Sequence, residues 1–193
     1  MAMEYPMFCY QCEQTAGGKG CTKLGVCGKT PEVAALQDLL IFQIKGISCY
    51  AKEMIEQGQN VDKEIITFIE NSLFTTLTNV NFDADVHVEM LKESQRIKEQ
   101  LRKQVGNINN DTEHATYNLS ETRSEMLKDA KKAGIMYDQN LDPDIRSLRQ
   151  TIIYGLKGIS AYGHQARELG YYDDEVDNFY VRALEATTDD SLS

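Results

Sequence analysis

The sequence predicts an all-α fold in which two related helical bundles follow an irregular metal-binding loop rich in cysteine and glycine. Apolar residues recur at the 3.6-residue period of helices over most of the chain, and strand-like alternation is nowhere convincing. A long apolar motif near residue 45 recurs near residue 157, which indicates two related units. Before residue 30, glycines interrupt every regular period, so this segment is predicted to be irregular.

Residues 1–30 form the predicted loop domain. The first helix is expected to begin at Pro31, because Thr30 can accept hydrogen bonds from exposed amides and proline has no N–H to leave unpaired there. Its apolar stripe continues until Gly58, a typical helix stop.

Two further helices complete the first predicted bundle, residues 31–106. One opens at Asp62 and weakens in the threonine-rich run 75–81, and the other begins near Asp83 and stops at Gly106. Asp is a favoured cap at a helix start, and glycine is favoured just beyond a helix end.

The second predicted bundle, residues 107–193, opens with a polar segment, 107–118, that we expect to be a surface loop. A short amphipathic helix is predicted over 120–133 and a long one from Asp142-Pro143 to Gly170. A last helix is predicted over 174–187. The acidic residues that concentrate in this last part are expected to form a solvated helix face.

The long helices of the two bundles share a motif. Residues 40–50 read LIFQIKGISCY and residues 152–162 read IIYGLKGISAY. Gly46 and Gly158 stand at equivalent positions inside these helices, where glycine costs about 1 kcal/mol relative to alanine. We therefore expect another helix to approach closely at both glycines.

Composition argues against several function classes. The 193 residues include 20 Lys and Arg against 30 Asp and Glu, a formal net charge of −10, which disfavours nucleic-acid or anionic-membrane partners. No apolar stretch approaches the ~20 residues of a membrane span. Residues 1–7 lack the basic and apolar regions of a secretory signal, so we expect a cytoplasmic protein.

Four cysteines carry the chemistry of the chain, in the pattern Cys9-x2-Cys12-x8-Cys21-x5-Cys27. In a reducing compartment, such cysteines are metal ligands more often than disulfides. The spacing favours a 4Fe-4S cube over zinc, because a cube is wider than one ion and suits a longer, bending loop. Zinc remains the alternative at this point.

Neighbouring loop residues can support a cluster. Glycines expose backbone N–H groups that can donate to cluster sulfurs. Lys19, Lys23 and Lys29 could offset the negative charge of a thiolate-bound cube, although each lysine taken singly is expected to be a solvated loop residue.

The remaining cysteine and the histidines are not predicted to be ligands. Cys49 lies in the first long helix, where its equivalent in the second copy is Ala161, so a small buried apolar site is expected. Three histidines are scattered without a second ligand at helical spacing and are expected to be surface or satisfied side chains: His87, His114 and His164.

The cysteine loop resembles the start of the hybrid cluster protein family, also called the prismane or hydroxylamine reductase family. The motifs that carry the likeness extend over essentially the whole chain, and they are residues 8–16 (FCYQCEQTA), 20–22 (GCT), 25–29 (GVCGK), 36–40 (LQDLL), 45–46 (KG), 76–83 (TLTNVNFD), 147–149 (SLR) and 155–158 (GLKG).

The resemblance implies a helical N-terminal domain whose Cys9, Cys12, Cys21 and Cys27 hold a cubane 4Fe-4S cluster. The compact spacing is similar to the 4Fe-4S branch of the family rather than the 2Fe-2S branch. It further implies two α/β domains with a hybrid 4Fe-2S-2O cluster, where hydroxylamine is reduced to ammonia. Nitric oxide reduction is also assigned to the family.

The sequence lacks candidates for the ligands of that hybrid cluster. We therefore expect an N-terminal part of a larger oxidoreductase, which transfers electrons and is inactive alone. Its expected partners are the C-terminal domains of the parent enzyme and a reduced electron donor.

Three alternatives remain open. A zinc-stabilised helical interaction module would bind one zinc ion and be colourless, whereas an iron–sulfur redox or nitric-oxide sensor would act by losing its cluster. Carbon monoxide dehydrogenase, from the same superfamily, is the nearest enzymatic alternative, and the Phe-Cys-x-Gln-Cys opening fits it poorly.

Overall fold

The computed structural model describes residues 6–12, 14–108, 112–137 and 141–190, and within them the fold is all-α, as predicted. Residues 1–5 of the predicted loop domain, Glu13, and residues 109–111, 138–140 and 191–193 of the predicted second bundle lie outside this description. Within the described residues the α-helices are α1 (Pro31–Glu56), α2 (Lys63–Thr75), α3 (Ala84–Val105), α4 (Glu113–Thr116), α5 (Arg123–Ala133), α6 (Pro143–Glu168) and α7 (Asp174–Ala186).

The helix starts follow the capping residues of the sequence. Thr30 Oγ1 accepts a hydrogen bond from Val33 N at 3.2 Å, with Pro31 at the first helical position, so the predicted beginning of α1 is confirmed. Aspartates cap the helices that follow in the same way: Asp62 for α2, Asp83 for α3, Asp142 for α6 and Asp173 for α7.

The expected surface loop over 107–118 is wrong at residues 113–117, and residues 107, 108, 112 and 118 are irregular as expected. Residues 113–116 form α4, and Ala115 and Tyr117 are buried against α1. At Gly46 of α1 a Cβ would overlap the carbonyl oxygen of His114. Because glycine has no Cβ, the backbone of α4 can pack closely against α1 at this position.

The equivalent glycine of the second repeat has no such role. A Cβ at Gly158 would meet no atom within 4 Å, so close approach is confirmed at Gly46 and wrong at Gly158. The repeated motif therefore folds into the same kind of helix in two different surroundings.

Helix α1 is the centre of the molecule and contacts α2, α3, α4, α5 and α7. One hydrophobic cluster surrounds the C-terminal half of α1 and draws on α2, α3, α6 and α7. A second surrounds its N-terminal half and includes α5, α3 and the cysteine loop, through Met7 and Cys21. Both clusters contain residues of the first predicted bundle, before residue 107, and of the second, after residue 106. The boundary between the two bundles at 106/107 stays a prediction.

A buried ion-pair network joins α2, α6 and α7. Arg167 Nε lies 3.0 Å from Glu70 Oε1, and Arg167 Nη2 lies 2.6 Å from Asp177 Oδ1. Glu185 is also buried and lies 3.0 Å from Lys52. The solvated acidic face expected after residue 173 is therefore wrong for Asp177 and Glu185, whose charges are matched by cations of other helices.

In the part of the chain that the structure describes, no helix is both long enough and apolar enough to cross a membrane.

Candidate metal centre

Backbone hydrogen bonds bring the first and third cysteines of the loop side by side. Cys9 N donates to Cys21 O at 3.0 Å, and Cys21 N donates to Cys9 O at 2.7 Å, which forms an isolated antiparallel bridge. Side chains of directly opposed residues in such a pair project to the same face. The bridge therefore holds Cys9 and Cys21 as neighbours although eleven residues separate them in the chain.

The Cys21 sulfur receives hydrogen bonds from the loop itself. Ala16 N donates to Cys21 Sγ at 3.5 Å, and Thr15 Oγ1 lies 3.8 Å from the same sulfur while donating to Cys9 O at 3.0 Å. The backbone N–H groups of Ala16 and then Val26 lower the pKa of the Cys21 thiol. Because the thiolate is the form that binds metals, these donors favour the ligand state.

Glycines shape the second half of the loop around Cys27. Gly25 N donates to Lys29 O and Gly28 N donates to Gly25 O, each at 2.8 Å. A Cβ at Gly25 would lie 3.1 Å from Cys27 Sγ and from Lys29 N, tighter than most Cβ contacts. Glycine at residue 25 therefore lets the Cys27 sulfur lie close over the loop backbone.

The donor set fits a thiolate-bound group. Cys9, Cys12, Cys21 and Cys27 are all free thiols; Cys21 is buried and the other three are half-buried. Among the described residues, no three Cys, His, Asp or Glu side chains converge on a single-ion site. A cube spreads its ligands more widely than one ion does, and the assignment of the four cysteines to one group stays a prediction.

Two buried lysines lie near this loop. Lys29 is 1% exposed, its Nζ lies 5.9 Å from the centroid of the Phe82 ring, and its charge contributes to the lowered pKa of Cys21. The expectation of a solvated side chain is therefore wrong for Lys29, whereas Lys19 and Lys23 are exposed as expected.

The other buried cation, Lys157 of α6, was missed by the sequence reasoning. Burial lowers the pKa of Lys157 to about 7, and the charge of Lys29 acts in the same direction, whereas Asp38 and Cys9 oppose it. Its helical spacing from Ile153 and Ser160 places it on the buried face of α6, and this was the signal available in the sequence.

Tyr10 connects the loop to α6. Its hydroxyl donates to Gln150 Oε1 at 3.2 Å. Burial, followed by the charges of Asp38 and Cys9, raises the pKa of Tyr10 to about 12, so the hydroxyl stays protonated and remains a donor.

Cys49, which the sequence set aside as a ligand, contacts residues outside the cysteine loop. Cys49 is buried, and its sulfur lies 3.6 Å from Thr188 Oγ1 and 3.9 Å from Thr112 Oγ1. Burial raises the pKa of the Cys49 thiol, which makes it a poor ligand. The small buried site predicted there is confirmed.

The histidines have partners of their own. His87 is buried between the Asp83 carbonyl and the Gln37 side chain. The His114 ring stacks on Phe42 with centroids 4.2 Å apart, and the His164 ring stacks on Phe74 at 4.4 Å. His164 Nδ1 lies 3.0 Å from Asn71 Oδ1, so the satisfied environment expected for a histidine is confirmed for His87 and His164.

The comparisons with known proteins define the class of the chain. The family model for the Prismane/CO dehydrogenase family matches residues 7–193, and the chain belongs to this family.

The particular relatives are hydroxylamine reductases, which are oxidoreductases. The chain is 42% identical over 191 residues to the hydroxylamine reductase of Desulfovibrio desulfuricans, covering 99% of the chain and 34% of the relative. It is 44% identical over 185 residues to that of Syntrophobacter fumaroxidans, covering 94% of the chain and 34% of the relative. That of Acetivibrio thermocellus is 44% identical over 190 residues, with coverage of 97% and 34%. The chain thus spans about a third of the length of these relatives.

Proposed function

We propose that the chain is the electron-transfer part of a hydroxylamine reductase, with a 4Fe-4S cluster held by Cys9, Cys12, Cys21 and Cys27. The observation that carries the proposal is the backbone bridge between Cys9 and Cys21, with N–H groups donating to the Cys21 sulfur. This arrangement gives two of the four sulfurs fixed neighbouring places.

The bound cluster would supply one-electron redox chemistry at this loop. The cysteines act as ligands alone, because thiolates committed to a metal are already deprotonated and have no acid–base role. Ala16 N–H stabilises negative charge on sulfur, and the buried ammonium of Lys29 adds positive charge close to Cys21. Both interactions stabilise the thiolate-rich site.

The activity of the parent enzyme is part of the proposal. The curated relatives are named hydroxylamine reductases, and their additional length would supply the hybrid cluster at which hydroxylamine, and also nitric oxide, is reduced. A reduced carrier in the cytoplasm would deliver electrons to the cysteine loop. The chain alone would bind its cluster without reducing hydroxylamine.

Anaerobic reconstitution with iron and sulfide tests the ligand assignment. We expect brown protein with about four irons per chain. Serine at any one of the four cysteines should lower the iron content, whereas Cys49→Ala should not, because the structure places Cys49 away from the loop and the repeat carries alanine at its equivalent position. Colourless protein with one zinc per chain would support the interaction module instead.

Hydroxylamine consumption with reduced viologen tests the second half of the proposal. The reconstituted chain should show no sustained turnover, and steady ammonia formation by this chain alone would contradict it.

A further inference from the structure

A large cavity in this acidic protein has positively charged walls. It occupies about 750 Å³ beside α1, α4 and α6 and extends to the segment that follows α7. Among the described residues, its walls carry five basic side chains and three acidic ones, which are Lys45, Lys132, Arg146, Arg149 and Lys157 against Asp38, Glu113 and Asp190. The local excess of positive charge contrasts with the net charge of −10 of the whole chain.

The ammonium of Lys45 in this wall has no paired carboxylate among the residues that the structure describes. Lys45 is 9% exposed, and its side-chain nitrogen makes no hydrogen bond or ion pair with any of them. Lys132 and Arg149, in contrast, pair with Glu113 and Asp190 at 3.3 and 2.9 Å. Burial, and then the nearby charge of Arg149, lowers the pKa of Lys45 to about 8.

Arg149 can contribute to the same ligand as Lys45. Its Nη2 donates to Asp189 O at 2.8 Å and to Asp190 Oδ1 at 2.9 Å. A guanidinium has five N–H donors, so the remaining ones can serve a ligand in the cavity. The Arg149 side chain is 14% exposed, which places these donors in partly dry surroundings where charge-assisted hydrogen bonds are strong.

The repeated motif supplies the third cation. Lys45 and Lys157 occupy equivalent positions in the two repeats, and both line this cavity. Lys157 is buried, like Lys45, and its side-chain nitrogen makes no hydrogen bond or ion pair within the described part of the chain. The two copies of the motif thus direct one buried ammonium each to the same cavity.

We propose that this cavity binds a small dianion with a sulfate or phosphate group, held by Lys45 and Arg149 with Lys157 as a further contact. A dianion matches the excess of basic over acidic side chains in the described wall, and the arginine fork matches the geometry of a tetrahedral oxyanion. The volume is ample for inorganic sulfate and also admits a phosphate ester with an organic part.

Isothermal titration with sodium sulfate tests the site, in buffers brought to equal ionic strength with sodium chloride. We expect saturable binding of one sulfate per chain. Lys45→Met should weaken sulfate binding about tenfold or more, because methionine has a similar shape to lysine but no charged hydrogen-bond donor. Lys45→Arg should largely retain binding, and Lys92→Met, at an exposed lysine that pairs with Glu89, should leave it unchanged.

Two further variants test whether lost binding comes from the missing side chain rather than from misfolding. A comparison of two ligands identifies the source of the anion. Arg149→Gln and Lys157→Met should each weaken sulfate binding in protein whose helical circular dichroism is unchanged. Tighter binding of adenosine monophosphate than of sulfate would identify a phosphate ester as the ligand class, and tighter binding of sulfate would identify an inorganic anion. No saturable binding of either probe, or equal binding by the wild type and Lys45→Met, would overturn the proposal.

Discussion

Alanine at the two repeat-equivalent glycines should change the stability in opposite directions. At Gly46, in the middle of α1, a Cβ would overlap the His114 carbonyl and come within 3.2 Å of Lys98 Cδ. The overlapping atom belongs to a backbone, so α4 as a whole must move. At Gly158, in the middle of α6, a Cβ would extend into open space.

The magnitudes follow from one stabilising and two destabilising contributions. Replacing a mid-helix glycine by alanine stabilises a helix by about 1 kcal/mol. At Gly46 this gain is outweighed by overpacking, about 1–3 kcal/mol. Displacement of α4 also weakens the hydrogen bond between Lys98 Nζ and His114 O, at a cost of about 1 kcal/mol. We expect Gly46→Ala to lower the free energy of unfolding by about 1–3 kcal/mol, and Gly158→Ala to raise it by about 0.5–1 kcal/mol.

Urea denaturation of the two variants and the wild type, followed by circular dichroism, measures this difference. Amide exchange provides a second readout, because Gly46→Ala should accelerate exchange in α4, whereas Gly158→Ala should not. Equal and stabilising effects of both substitutions would refute the close approach of α4 to Gly46.

Three further predictions concern the buried charges, the loop and the helix caps. Arg167→Met should lower the free energy of unfolding by about 3–5 kcal/mol in urea denaturation, because it leaves two buried carboxylates without a cation. Arg96→Met, at an exposed ion pair, should lower it by less than about 1 kcal/mol. Similar losses for both variants would contradict the buried ion-pair network. Gly25→Ala should reduce the iron bound per chain, because its Cβ crowds the Cys27 sulfur, and full iron retention would disprove that crowding. Asp142→Ala should cost about 1 kcal/mol by removing the cap of α6, and an unchanged urea midpoint would show that the cap is dispensable.

The helix boundaries could be predicted because their causes are local. Thr30-Pro31 and the capping aspartates each act within three residues of the helix start, so the sequence alone contains the relevant contacts. The short helix α4 was not predicted, because four residues carry too little periodicity and the helix forms against α1 rather than on its own. Its partner, Gly46, was recognised only as a site of close approach.

The sequence names candidate ligands for the site and says less about their surroundings. Sequence spacing singled out the four cysteines, while the bridge between Cys9 and Cys21 depends on backbone geometry that glycine-rich sequences do not specify. Lys29 looked like a solvated loop residue because Phe82, over which its ammonium lies, is distant in sequence. Lys157 was not predicted to be a buried cation, because the motif that contains it was interpreted only as a helix-packing motif.

A crystal structure of the anaerobically reconstituted chain, with anomalous data collected at the iron edge, tests the central claim most directly. The account predicts one compact group of iron peaks bonded to the sulfurs of Cys9, Cys12, Cys21 and Cys27. A single metal peak, iron bound elsewhere, or any of these four sulfurs pointing away from the iron would contradict it.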